Sequence, residues 1–159
     1  MLEATKTSVW KNRYAISADG RPLAVWDGSL WTAGGTFELG GRRYRVRGNM
    51  WGSTYGMVDQ DDTPVAAARR VGRKSWTVEA GGQTYAFHRA SLWRDEQELR
   101  SADGRRLGSV RRTSMWRGDA VADLPSLQLP VQIFVLAVVL TMWDSSSATG
   151  AAGAVAAAG

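Results

Sequence analysis

The chain has 159 residues, 44% of them hydrophobic and 22% charged, a size and balance that fit one globular domain with a real core. Its 20 Lys and Arg outnumber 15 acids, and the net charge of +5 suits an anionic partner, phospholipid or nucleic acid, as well as plain solubility. It contains no cysteine, which excludes disulfides, thiolate nucleophiles and cysteine-based metal sites.

The first residues, "MLEATKTSVWKNRYAI", hold no apolar run, so no secretory signal is predicted and a cytoplasmic location is expected. Residues 1–8 read as a short lead. Hairpins follow one another from Trp10 onward. The first turns at Asp19-Gly20, and the next pairs Phe37-Glu38-Leu39 with Arg43-Tyr44-Arg45-Val46-Arg47 across Gly40-Gly41. Gly-Gly supplies the positive φ that tight hairpins require. Along Arg43 to Arg47 the residues alternate, so Tyr44 and Val46 are predicted on one face and the three arginines on the other. Further turns are expected at Asp61-Asp62, Gly81-Gly82 and Asp103-Gly104. Counting arms gives about ten strands before Trp116, with one or two short ones beyond them.

Much of this is an internal repeat. Thr36, Glu38, Gly40-Gly41, Tyr44, Trp51, Met57, Asp61 and Arg69-Arg70 match Thr77, Glu79, Gly81-Gly82, Tyr85, Trp93, Leu99, Asp103 and Arg111-Arg112. A partial copy precedes them, in which Trp10, Tyr14, Ile16, Asp19, Pro22 and Leu23 align with Trp51, Tyr55, Met57, Asp61, Pro64 and Val65. A propeller is excluded, because it takes about four to eight such units and would leave the last apolar segment without a place.

That segment is "PVQIFVLAVVLTMW", Pro130 to Trp143. Its polar residues Gln132 and Thr141 fall on opposite sides of a helix, so no wet face exists and the helix must be surrounded. Pro130 suits the first turn, and the Asp144-Ser-Ser-Ser run is expected to end it. A bilayer span needs about 20 apolar residues, and the segment is only about 21 Å long at the helical rise. Hairpins with one apolar face each need something apolar to cover, so the predicted fold is a closed antiparallel β-barrel around a central hydrophobic helix. The barrel is assigned to residues 9–144 and the helix to about 130–143; residues 145–159, low in complexity, are expected to be disordered.

Through "RYAISADGRPLAVW", "GGTFELGGRRYRVRG" and "PVQIFVLAVVLTMWD" the chain resembles the tubby C-terminal-like superfamily, and within it the LURP-one-related proteins, which are also related to phospholipid scramblases. The resemblance covers about Trp10 to Asp144 and implies a barrel of about twelve strands threaded by the apolar helix. It also implies binding of phosphoinositides through basic residues on the barrel surface.

Residues with catalytic or metal-binding potential are few. His88 is the only histidine and is predicted to face solvent opposite Tyr85 and Phe87. Asp59 to Asp62, "DQDD", cluster carboxylates, but an EF-hand loop from Asp59 would place Pro64 and Arg70 where Gly and Glu belong, so Asp61 reads as a turn residue. Glu96 and Glu98 lack the apolar surroundings that raise a carboxyl pKa. No enzyme, metal site or cofactor is predicted. Arg43, Arg45 and Arg47 on one strand, with Arg69, Arg70, Arg73, Lys74 and Trp76 on the next hairpin, are the candidate headgroup-binding residues. Nucleic acid is disfavoured, because alternation turns Tyr44, Tyr85 and Phe87 inward and removes a stacking platform. The expectation is a binding or scaffold protein, peripheral at an anionic membrane. Its alternatives are a tail-anchored protein or a scramblase-like phospholipid transporter using the apolar segment, and no protein partner is indicated.

Overall fold

The computed structural model describes residues 1–8, 12–29, 33–91, 95–114 and 116–158, with side chains in the last helix as far as Ser146. Twelve antiparallel strands close into a barrel in chain order, and one helix follows them. The strands are β1 Leu2–Lys6, β2 Arg13–Ala18, β3 Arg21–Gly28, β4 Gly34–Leu39, β5 Arg42–Gly48 and β6 Thr54–Asp59. They continue as β7 Pro64–Arg69, β8 Ser75–Ala80, β9 Gln83–Arg89, β10 Glu96–Arg100, β11 Arg106–Arg112 and β12 Ala120–Asp123, and α1 is Leu129–Ala158.

Alternation decides which side chains the wall turns inward. In β5, Tyr44 and Val46 are buried while Arg43, Arg45 and Arg47 are exposed. The predicted turns form where the short-range signals lie. Gly40-Gly41 and Gly81-Gly82 take positive φ at both positions, 58° and 78° in the first and 58° and 75° in the second. These are left-handed conformations that a side chain at both sites would strain. The repeat also recurs in finer detail. The strand register slips between Ile16 and Ser17, between Met57 and Val58, and between Leu99 and Arg100. Ile16, Met57 and Leu99 are equivalent positions, so each unit bends its wall at the same place, as a bulge does.

Two boundaries differ from the sequence reading. Residues 1–8 are more than a lead, for they contain β1, which pairs with β12 through Leu2↔Ala122 and with β2 through Leu2↔Ala18. Leu2 and Ala4 are buried, and β1 closes the barrel between β12 and β2. Five residues of weak alternation did not announce it; the partner β12 lies at the other end of the chain. The helix is also longer than Pro130 to Trp143. Ser145 and Ser146 donate their hydroxyls back to the carbonyls of Thr141 and Met142, at 2.9 and 3.0 Å, so these serines accommodate the helix instead of ending it. The alanines beyond have the highest helix propensity of any residue.

The helix fills the barrel. Every side chain from Ile133 to Leu140 is buried, and the wall meets it with Tyr14, Ile16, Trp26, Met57, Trp76, Phe87 and Leu99. Gln132 and Thr141, the two polar side chains of the segment, bond locally to the carbonyls of Leu127 and Ala137, both at 2.8 Å. The window Leu129–Ser146 is long and apolar enough to cross a bilayer, yet 56% of it is buried within this barrel.

Candidate functional site

Because consecutive antiparallel strands alternate in direction, their connections alternate between the two rims. The rim at Asp19-Gly20, Gly40-Gly41, residues 60–63, Gly81-Gly82 and residues 101–105 is made of tight turns and carries Asp19, Asp61, Asp62 and Asp103. From this rim the chain enters α1. The helix leaves by the opposite rim, where Tyr14 donates its hydroxyl to Asp144 at 3.2 Å and Lys6 approaches the same carboxylate at 3.8 Å. Burial, then Asp144, pushes the Tyr14 phenol well above its usual pKa, so it remains a donor at any physiological pH.

The helix-exit rim differs in its exposed aromatic residues. Met50 and Trp51, between β5 and β6, are 88% and 83% exposed, and Trp116, between β11 and β12, is fully exposed. Since the barrel closes in chain order, these two connections stand on opposite sides of the mouth from which α1 emerges. Arg70, Arg73 and Lys74, between β7 and β8, are exposed and form no ion pair with any described residue. Arg117 is exposed beside Trp116. Trp10, Trp31 and Trp93 lie outside the described residues, as do the repeat matches that rest on Trp10 and Trp93.

The eight residues predicted for headgroup binding therefore do not form one surface. Arg70, Arg73 and Lys74 are on the helix-exit rim, and Arg47 and Arg69 close their strands beside it. Arg69 contacts Glu79 at 3.6 Å, an exposed pair of little energetic weight. Arg43 and Arg45 lie on the outer wall toward the tight-turn rim, and Arg45 is held by Asp62 at 2.5 Å. Trp76 is a correction. It is buried, stacks on Phe87 with ring centroids 4.6 Å apart, and donates its indole N–H to Gln97 at 3.0 Å. Its neighbours in sequence are basic, but alternation along β8 turns it inward with Val78.

The remaining polar candidates are engaged within the protein. His88 is half-buried on the outer wall against Ser75, 2.9 Å away; Phe87 is buried as expected and Tyr85 only half so. Glu96 and Glu98 bind Arg106 and Arg100, at 2.9 and 2.6 Å. Asp59 organises its turn, accepting the amides of Asp61 and Thr63 at 2.9 and 3.0 Å and the Arg42 guanidinium at 2.9 Å. Burial opposes ionisation, but these three donors outweigh it and hold the Asp59 pKa below the usual carboxylate range. Among the described residues, no acid, His or Cys cluster could hold a metal ion.

Asp59 yields a pH prediction. A depressed folded pKa means the unfolded chain takes up this proton first, so its contribution is complete above the unfolded value of about 3.9 and is lost below it. Asp59→Asn is therefore expected to melt at lower temperature than the wild type near neutrality, with the difference shrinking toward pH 2 on the scale of that ionisation. Thermal melts followed by circular dichroism across pH check this; a difference that does not change with pH would assign the loss to shape rather than charge.

Comparison of the chain with protein-family models, curated proteins and solved structures gave no match. The site therefore rests on its own geometry. Inspection of single motifs passes over Met50, Trp51 and Trp116. The signal that finds them is parity: once strands are numbered, the connections that hold Trp51 and Trp116 open on the same rim.

Proposed function

We propose that this barrel is a non-enzymatic binding protein that docks its helix-exit rim on an anionic phospholipid surface. The observation that carries the reading is the company the exposed aromatics keep: Trp51 and Trp116 share one rim with Arg70, Arg73 and Lys74, which form no ion pair with a described residue, while the other rim carries no exposed tryptophan among the described residues. Trp prefers the boundary between headgroups and acyl chains, and each Lys or Arg near an anionic leaflet contributes about 1 kcal/mol. With Trp51 and Trp116 on opposite sides of the mouth, the barrel stands end-on, its axis close to the membrane normal. The α1 residues beyond the rim then point toward the lipid. A cytoplasmic leaflet is the natural surface, since anionic lipids concentrate there.

Kinship with the LURP-one-related proteins fits the barrel and its central helix and is part of this proposal. Tail anchoring through Pro130 to Trp143 is less well supported, because that segment is enclosed by the barrel's own wall.

Flotation with phosphatidylcholine vesicles, with and without phosphatidylserine, tests the docking. The wild type is expected to float only with phosphatidylserine and to be released by high salt, and Trp51→Ser with Trp116→Ser to float much less while melting normally. Equal flotation of wild type and double variant would remove the rim from the interaction.

A further inference from the structure

Where α1 leaves the barrel, a partly enclosed cavity of about 310 Å³ opens at the rim. Arg73, Arg89 and Arg112 line it together with Asp95, Ser91 and Trp143. Arg112 is the organising group. Its guanidinium carbon lies 4.9 Å from the centre of the Trp143 ring, its Nη1 is 3.2 Å from Asp95 Oδ2, and its side chain is only 15% exposed. Stacking on an indole and pairing at one end hold the planar fork in a fixed orientation. Its Nε is buried and has no hydrogen-bond partner among the described residues. A buried guanidinium N–H without an acceptor is costly, and natural proteins leave few such groups. Arg73 and Arg89 are exposed and make no ion pair with a described residue. Among the described residues, Asp95 is the only carboxylate lining the cavity with these three guanidinium groups.

We propose that this cavity binds a phosphate monoester. Arginine forks match phosphate oxygens bidentately, and charge-assisted bonds of this kind are about twice as strong as neutral ones. The surplus of cations over the single carboxylate suits a dianion. A monoester offers three unsubstituted oxygens to three arginines, whereas a diester offers two and a single charge. The volume is sufficient for a phosphate with a small polar substituent. The monoester is either a free metabolite or the head of a lipid such as phosphatidic acid. The lipid form rests on the docking reading above, because the cavity opens on the same rim; the free form does not.

The test titrates the full chain with glycerol 3-phosphate by calorimetry. In parallel it follows the Trp143 indole N–H in a nitrogen-15 spectrum assigned with Trp143→Phe. Saturable binding that shifts this resonance is expected, weakening below about pH 6 as the ester takes up its second proton. Arg89→Gln and Arg112→Lys together should lower the affinity at least tenfold, since Lys keeps the charge of Arg112 but loses the fork. Arg21→Gln with Arg105→Gln, on the far rim, should change it less than twofold. Absence of saturation, or equal weakening by both pairs, would overturn the site. If Arg112→Lys shifts the melting temperature, Arg89→Gln alone carries the comparison, as its exposed side chain contributes little to stability.

Vesicles separate the two sources. Preferential flotation with phosphatidic acid over phosphatidylserine at equal surface charge, competed by glycerol 3-phosphate, identifies the lipid head as occupant. Glycerol 3-phosphate binding without that preference identifies a free ester and leaves rim docking to the Trp51 and Trp116 result. Flotation with phosphatidic acid that glycerol 3-phosphate neither competes with nor accompanies by binding would overturn the cavity while sparing the docking.

Discussion

Val135→Asp is expected to yield no folded protein. Val135 sits midway along the enclosed run of α1 and is fully buried. No described hydrogen bond crosses from the barrel wall to this part of the helix; the polar side chains nearest it along the helix, Gln132 and Thr141, already bond to Leu127 and Ala137. A carboxylate there would sit in the apolar core formed by α1 and the barrel wall, with no described cation in that core to neutralise it. An unpaired polar group in such a place costs roughly 2–7 kcal/mol, and an ionised one far more, against a typical total stability of about 5–15 kcal/mol. Loss of the valine's own burial, about 1.5–3 kcal/mol, adds to this. The measurement is soluble yield, then cooperative thermal unfolding. Leu136→Ala provides the scale, since an apolar truncation at a buried position costs about 2–5 kcal/mol and should leave a less stable but cooperatively melting barrel. Soluble Val135→Asp protein with a wild-type melt would mean the helix does not lie inside the wall.

Removing the cations of the helix-exit rim is expected to have the next largest effect, on membrane partition rather than on stability. Arg69, Arg70, Arg73 and Lys74 lie together on and beside the β7–β8 connection, and all are exposed. At about 1 kcal/mol for each cation near an anionic surface, the four together contribute about 4 kcal/mol. That is on the order of a thousandfold in partition. Arg70 has φ of 62°, so Asn, which tolerates this conformation, is the replacement there, with Ser at the other three. The variant should melt within a few degrees of the wild type and bind phosphatidylserine vesicles on the order of a thousandfold more weakly at low salt, the gap closing as salt shortens the Debye length. Unchanged partition at low salt would place the interaction elsewhere on the molecule. The corresponding change at Arg43 and Arg45 is expected to matter little, because Arg45 is held by Asp62 and both point away from the proposed surface on the outer wall.

These two experiments probe opposite consequences of one arrangement. The helix is apolar all round because the barrel surrounds it, and the barrel can close around it because each strand offers an apolar inner face. Once the helix fills the lumen, the rim it enters and the rim it leaves are distinct, and the longer connections gather at the second. Short Gly-Gly and Asp-Gly turns need no side chains beyond those that bend the backbone, so the rim that carries them presents small and charged residues and no exposed tryptophan among those described. The other rim has room for exposed tryptophans and cations, and the cavity at Arg112 lies within it.

Local pattern alone determined the hairpins, their turns, the inward residues of β5, and the need to enclose Pro130 to Trp143. Each of these rests on interactions among neighbours in the chain or on a helical period without a polar face. Tertiary structure decided the rest. Residues 1–8 became a strand because β12, far away in sequence, offered an unpaired edge. Trp76 left the basic cluster because the inner face of β8 points at the helix. Arg43 and Arg45 parted from Arg70, Arg73 and Lys74 because wall and rim are different surfaces, a distinction that does not exist until a sheet closes. Arg112 meets Asp95 and Trp143 only where β11, the segment before β10 and the middle of α1 converge at the barrel mouth. Contacts of that kind join residues far apart in the chain, and no periodicity records them.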